Sequence, residues 1–140
     1  MRQIVPLFPS AEWIAEFCRR LAAHPDADDL ARALDGIYEF VIDPAGPLTV
    51  QHRYRLAIRS TGAGAQIAPM DGAPEPRLTI TADYSRWRQL ISGQLDIGMA
   101  VLLRRVRVSG DLSGLTSQLS SAQPLVQALS SVPTEFLEQT

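Results

Sequence analysis

Few side chains of this sequence have a type and spacing suited to chemistry, and His52 is the first of them. It stands in the alternating segment LTVQHRYRLAIRS and shares one side of it with Val50 and Tyr54. A histidine on such a face can polarise a carbonyl or hydroxyl of a bound molecule, because imidazole exchanges a proton near neutral pH. A hydrogen-bonded core histidine is the alternative, since the sequence shows no acidic partner nearby. We predict no catalytic residue and keep an enzyme that uses His52 as an alternative hypothesis.

Motifs for other reactive sites are missing. The sequence has no GxSxG nucleophile elbow, and no lysine follows the glycines of TGAGAQ, so a phosphate loop is not predicted. His24 and His52 are far apart, and Cys18, the single cysteine, falls within a helical pattern, where a small core residue is expected. We therefore predict no metal, no cofactor and no catalytic activity.

Arginine forms the main charge pattern. Arg53, Arg55 and Arg59 alternate along one predicted strand, and Arg105 and Arg107 share one face of another. If the two strands are neighbours, these side chains form a basic patch that touches anionic headgroups in a transient membrane-surface contact. A solvated outer sheet face is the other interpretation.

Composition limits the class of protein. The 140 residues are 46% hydrophobic and carry a net charge of −2, which disfavours a basic nucleic-acid binder. This length predicts one domain over 1–140. The opening MRQIVPLFPS is too short an apolar stretch for a signal-peptide core or a membrane span, so we expect a cytoplasmic protein.

Helical periodicity and capping residues predict four to five helices. Two come first, in AEWIAEFCRRLAAH and DADDLARALDG, and the others follow in YSRWRQLISG, in a short apolar stretch after it and near the end of the chain. The residues predicted to begin, end or break these helices are Ser10, Gly36, Asp83, Gly93, Asp96, Asp111 and Pro124.

Alternating hydrophobicity predicts five strands. They are IYEFVID, the segment from Leu48 to Ile58, a short strand from Ala65 to Ala68, a strand with Leu78, Ile80 and Ala82, and RVRVS. The order of elements favours an α+β fold with a mainly antiparallel five-stranded sheet and four to five helices packed on one face.

The second half of the chain resembles a known family. From Arg77 to Leu119, RLTITADYSRWRQLISGQLDIGMAVLLRRVRVSGDLSGLTSQL is similar to the C-terminal half of the sterol carrier protein type 2 domain. The shared order is a strand, an acid-capped helix, a polar turn, a short apolar helix, a basic alternating strand, and glycine with an acid before the last helix. These features fall at Leu78 to Thr81, Asp83, Ser92 and Gly93, Leu95 to Leu103, Arg105 to Ser109, and Gly110 with Asp111. The sequence departs from the family at Arg104, where glycine is common, so we expect a difference in that turn.

The resemblance implies a cavity between sheet and helices that encloses a sterol, a fatty acyl chain or another lipid. It implies non-catalytic binding and transfer or presentation of that hydrophobic small molecule. The predicted lipid-binding residues are Trp87, Leu90, Ile91, Ile97, Met99, Leu102, Leu103, Leu115, Leu119 and Val126.

Two alternatives stay open beside the carrier and the His52 enzyme. Some relatives assist quinone biosynthesis, so the chain could be an accessory protein that presents a prenylated quinone or polyketide-like intermediate to biosynthetic enzymes. The predicted lining residues could also form an ordinary filled core.

Overall fold

The structure, a computed structural model, describes residues 5–70, 75–95, 103–110 and 123–137, and of residues 123–126 the backbone alone. The helices and strands within these residues are, in chain order, β1 (Leu7–Phe8), α1 (Ala11–Ala22), α2 (Ala27–Leu34), β2 (Gly36–Asp43), β3 (His52–Thr61), β4 (Gly64–Pro69), β5 (Leu78–Asp83), α3 (Tyr84–Ile91), β6 (Arg107–Gly110), α4 (Gln123–Ser131) and β7 (Glu135–Phe136).

Local capping signals set the starts of two helices, as the sequence predicts. Ser10 Oγ accepts a hydrogen bond from Trp13 N at 3.1 Å before α1, and Asp83 accepts one from Arg86 N at 2.9 Å before α3. Each side chain satisfies a first-turn N–H that has no partner inside the helix. Gly93 follows α3 with φ +74°, a left-handed conformation typical of the residue after a helix.

A five-stranded sheet forms the centre of the fold, in the order β4-β3-β2-β5-β6. β2 pairs parallel to β5, and the other three neighbouring pairs are antiparallel. The prediction of an α+β fold with a mainly antiparallel five-stranded sheet is confirmed, and the sheet is mixed. A second, two-stranded sheet joins β1 to β7 in parallel, which the sequence did not predict.

Two local predictions are corrected by the backbone. The strand predicted from Leu48 begins only at His52, because Leu48 N donates to Ala45 O at 3.1 Å in a turn and Val50 is 63% exposed. Gly36 is not the stop of α2 but the first residue of β2. Pro124 is the second residue of α4, where its missing N–H costs no helical hydrogen bond, and LVQALSS follows it in that helix. The preceding helix, which Pro124 is predicted to break, lies outside the described residues. The helices predicted to start at Asp96 and Asp111 lie outside the described residues.

The helices cover one face of the sheet, which we call the inner face. On it, the ring of Phe40 in β2 lies 5.6 Å from Phe17 of α1 and 5.1 Å from Trp87 of α3, between centroids. The opposite, outer face carries the charged side chains of the same strands. The period-two alternation of β2 and β3 therefore separates an apolar layer from a charged surface.

Arg104 is the single non-glycine residue with positive φ in the described part of the chain, at +60°. The turn before β6 thus keeps a left-handed conformation, in which a Cβ is strained by about 1 kcal/mol or more. Glycine, which is common here in the family, adopts that conformation without strain, and the expected difference in the turn stays a prediction.

We predict that Arg104→Gly raises the free energy of unfolding by about 0.5 kcal/mol, because relief of strain exceeds the added entropy of the unfolded chain. Arg105→Gly is the matched control, since Arg105 does not have positive φ, and it should lower that free energy by about 0.5–1 kcal/mol. Urea unfolding measures both. Equal losses in the two variants would contradict the strain at Arg104.

Candidate functional site

Helix α3 places three of the predicted lining residues against the inner face. Trp87, Leu90 and Ile91 are buried, on the apolar side of a helix whose other side carries Arg86 and Arg88. The indole N–H of Trp87 donates to Val41 O at 3.0 Å, so its polar atom is satisfied. The helix is thus fastened to the central strand through Trp87.

A row of apolar side chains crosses the sheet beneath this helix. Phe40 is paired with Tyr54 of β3 and with Ile80 of β5, and Ile80 is paired with Val108 of β6. The two central members are buried, and the two outer members, Tyr54 and Val108, are half-buried. The row provides a continuous apolar floor about four strands wide.

The other predicted lining residues have different positions. Leu103, just before β6, is 52% exposed. The backbone of Val126 lies in α4, and its side chain is outside the described atoms. Ile97, Met99, Leu102, Leu115 and Leu119 lie outside the described residues. The structure therefore brings Trp87, Leu90 and Ile91 together and shows Leu103 at the surface.

An aromatic cluster that includes Phe8 extends the apolar layer beyond the predicted set. The ring of Phe8 lies 4.9 Å from Trp13 and 6.1 Å from both Tyr84 and Trp87, between centroids. The hydroxyl of Tyr84 accepts a hydrogen bond from Leu137 N at 2.8 Å. Phe8 was missed because it stands between two prolines without helical or strand periodicity; the apolar run before Pro9 was the available signal.

The titratable side chains near the apolar layer include His52, Tyr54 and Cys18. His52 Nδ1 lies 3.3 Å from the hydroxyl of Tyr54, and no described carboxylate contacts His52. Burial, and to a smaller degree the Glu12 carboxylate, raise the pKa of Tyr54. Burial raises the pKa of the Cys18 thiol to about 12, so this core cysteine stays protonated at neutral pH.

The condition for a basic patch on the two arginine strands, that they are neighbours, is not met. β3 and β6 are separated by β2 and β5. Arg53 and Arg55 both pair with Glu39, at 3.3 and 2.8 Å, and Arg107 lies 3.6 Å from Asp43. The outer face is therefore a mixed, largely paired surface.

Glu39 is the charged residue that sequence reasoning missed. It is 5% exposed and stands directly opposite Arg55 in the register of β2 and β3. Its position between Tyr38 and Phe40 puts it on the outer face. The sequence signal for this buried charge was a single acid amid the apolar residues of IYEFVID. A buried carboxylate needs such partners, because desolvation of an uncompensated charge is costly.

The structure gives a reason for Gly110, one glycine of the family pattern. It pairs with Leu78 at the end of β6 and has φ +113°. A Cβ at this position would come within 2.3 Å of Arg77 O. The close approach of two backbones leaves room for glycine alone.

Two other kinds of feature are absent from the described part of the chain. No three His, Cys, Asp or Glu residues there are grouped so that they could hold a metal ion. No helix there combines the length and the apolarity needed to cross a membrane.

Solved structures with the same fold include sterol carrier protein 2. The chain has a TM-score of 0.68 and 18% identity to a conserved hypothetical protein, possibly a sterol carrier protein, of Thermus thermophilus, with 90% of each chain covered. It has a TM-score of 0.66 and 19% identity to a crystal structure of sterol carrier protein 2, covering 88% of this chain and 97% of that one. A UbiJ-SCP2 ubiquinone synthesis protein has a TM-score of 0.56 and 16% identity, with 82% and 93% covered. No curated protein sequence matches the chain.

The fold and its apolar layer thus define an α+β domain of the sterol-carrier class. The model of the SCP-2 sterol transfer family matches residues 14–122, more than three quarters of the chain. The chain belongs to the SCP-2 sterol transfer family.

We predict that Glu39→Gln lowers the free energy of unfolding by about 1–3 kcal/mol, because two charge-assisted hydrogen bonds are weakened in a buried place. Asp29→Asn is the control, since its ion pair with Arg32 is exposed, and it should change that free energy by less than about 0.5 kcal/mol. Urea unfolding measures both variants. A similar small change in each would show that the Glu39 carboxylate adds no stability.

Proposed function

We propose that the chain carries or presents a hydrophobic small molecule without a catalytic step. The guest lies in apolar space over the inner face of the sheet, beside helix α3. Membership of a sterol transfer family supports this proposal. Sterols, fatty acids and other lipids are the guest classes that such a site favours, because dispersion and burial hold them with few polar contacts.

The observation that carries the proposal is the distribution of charge in the sheet. In the rows that cross β3, β2, β5 and β6, every Arg, Asp and Glu lies on the outer face. The inner face offers Tyr, Phe, Ile, Leu, Ala and Val side chains with His52 at one end. An apolar guest therefore meets no side-chain charge on this face that would have to be desolvated.

The ten predicted lining residues remain part of the proposal. Trp87, Leu90 and Ile91 supply a fixed wall on α3. Leu103, which is large, apolar and half-exposed, suits the rim of the site, where a guest would cover it.

Presentation of a prenylated quinone intermediate to biosynthetic enzymes is the second form of the proposal. The likeness in fold to the UbiJ-SCP2 ubiquinone synthesis protein supports it. The preferred guest distinguishes the two forms. If a quinone with an isoprenoid tail displaces a fluorescent fatty acid better than palmitate does, the result favours the accessory role. The reverse order favours a general lipid carrier.

We predict that Ile91→Phe weakens binding of a fluorescent fatty acid by about tenfold, because the larger ring fills guest space. The free energy of unfolding should change by less than about 1 kcal/mol, since a cavity accepts the added atoms that a filled core would not. Fluorescence titration and urea unfolding of the same samples measure the two quantities.

Ile67→Phe is the matched control. Ile67 is a buried residue of β4, the edge strand covered by α1, so the same substitution overpacks core away from α3. It should lower the free energy of unfolding by about 1–3 kcal/mol and leave the affinity unchanged. If Ile91→Phe behaves like this control, the layer under α3 is a filled core and the proposed site is not there.

A further inference from the structure

A groove of about 380 Å³ crosses the outer face of the sheet, opposite the apolar layer. Its chemistry is polar, with two guanidinium groups and three hydroxyls among the lining side chains. The lining residues are Val41, Asp43, Gln51, Arg53, Thr79, Thr81, Arg107 and Ser109.

The strand register explains how this groove forms. Arg53 of β3 is paired with Val41, Val41 with Thr81, and Thr81 with Arg107 of β6. These residues form one row across four strands, so the two arginine Cα atoms are about 14 Å apart, three strand spacings. The smaller side chains of Val41 and Thr81 form the floor between two long cationic walls.

Several hydrogen-bond donors in the groove are available to a ligand. The Arg107 guanidinium has an ion pair with Asp43 at 3.6 Å, which is beyond hydrogen-bond distance, and its side chain is 75% exposed. Within the described residues, the hydroxyls of Thr79, Thr81 and Ser109 have no hydrogen-bond partner. A guanidinium fork beside hydroxyl groups matches the oxygens of a tetrahedral oxyanion.

The acidic groups of this face are already engaged. Gln51 Nε2 donates to Asp43 Oδ1 at 2.7 Å, and Glu39 accepts from Arg53 and Arg55. Arg53 is also fixed by a hydrogen bond from its Nε to Gln51 Oε1 at 3.1 Å. One wall is therefore held in place, and the other wall, Arg107, has its nearest described carboxylate, Asp43, at 3.6 Å, which leaves its donors without a hydrogen bond.

We propose that this groove binds the phosphate group of a small phosphorylated molecule, either soluble or the headgroup of a phospholipid. Arg107 is the main phosphate contact, with the hydroxyls of Thr81 and Ser109 beside it and Arg53 as the opposite wall. The volume exceeds that of a bare phosphate ion and leaves room for a polar substituent such as glycerol. The site is separate from the guest site of the proposed carrier, since the two lie on opposite faces of the sheet.

Titration of the full chain with inorganic phosphate and with glycerol 3-phosphate, followed by amide NMR, tests the proposal. We expect saturable shifts at Thr81, Arg107 and Ser109, with glycerol 3-phosphate binding more tightly. Arg107→Gln should weaken binding about tenfold, and Thr81→Val about threefold, because each removes a donor to the phosphate. Arg105→Gln, which removes the same charge from an exposed position outside the groove, should change the affinity by less than about twofold.

Flotation with vesicles distinguishes the two sources of phosphate. Binding to phosphatidylcholine vesicles that contain phosphatidic acid, lost in Arg107→Gln and kept in Arg105→Gln, assigns the site to a headgroup. Binding of glycerol 3-phosphate alone assigns it to a soluble molecule. Absence of saturable shifts in the groove, or equal losses in Arg105→Gln and Arg107→Gln, overturns the proposal, because nonspecific attraction would then account for any response. Displacement of a fluorescent fatty acid should be the same in Arg107→Gln and in the unmodified chain. The outcome of the phosphate test is therefore independent of the carrier proposal.

Discussion

The attachment of Trp87 to strand β2 is the contact on which the rest of the structure depends. The indole ring lies 5.1 Å from Phe40, between centroids, and its N–H donates to the backbone oxygen of the next residue, Val41. Ring packing buries a large apolar area, and the hydrogen bond fixes the orientation, so α3 has one position on the sheet. Because Leu90 and Ile91 follow Trp87 on the same helix, this contact also places the wall of the proposed site.

The central strand serves two surfaces at once. Its even-numbered residues, with Phe40 at the centre, belong to the apolar layer, and the odd-numbered Glu39 and Asp43 belong to the charged face. A side-chain period of two requires this division, and a shift of one residue in register would exchange the faces. Glu39 opposite Arg55 favours the observed register, since the shifted one would put a carboxylate among aromatic rings. The proposed carrier site and the polar groove thus both follow from the same alternation.

Local features were predictable from the sequence, and non-local ones were not. Ser10, Asp83 and Gly93 act within one helical turn, so their roles could be inferred from neighbouring residues. The strand predicted from Leu48 failed because alternation continues through a turn, and the exposure of Val50 has no sequence signal. The parallel pairing of β2 with β5 and the separation of β3 from β6 depend on contacts between distant segments, which alternation within one strand does not specify.

For the candidate site, too, the local features could be predicted from the sequence and the packing could not. Helical spacing on α3 correctly indicated that Trp87, Leu90 and Ile91 are buried together, while whether they face a guest or each other depends on packing that spacing does not encode. Native mass spectrometry of the gently purified chain tests this central claim most directly. A lipid-sized adduct, retained on purification or gained on incubation with palmitate at a ratio of one per chain, is the predicted result. A bare chain under both conditions, with the protein folded, would contradict the account.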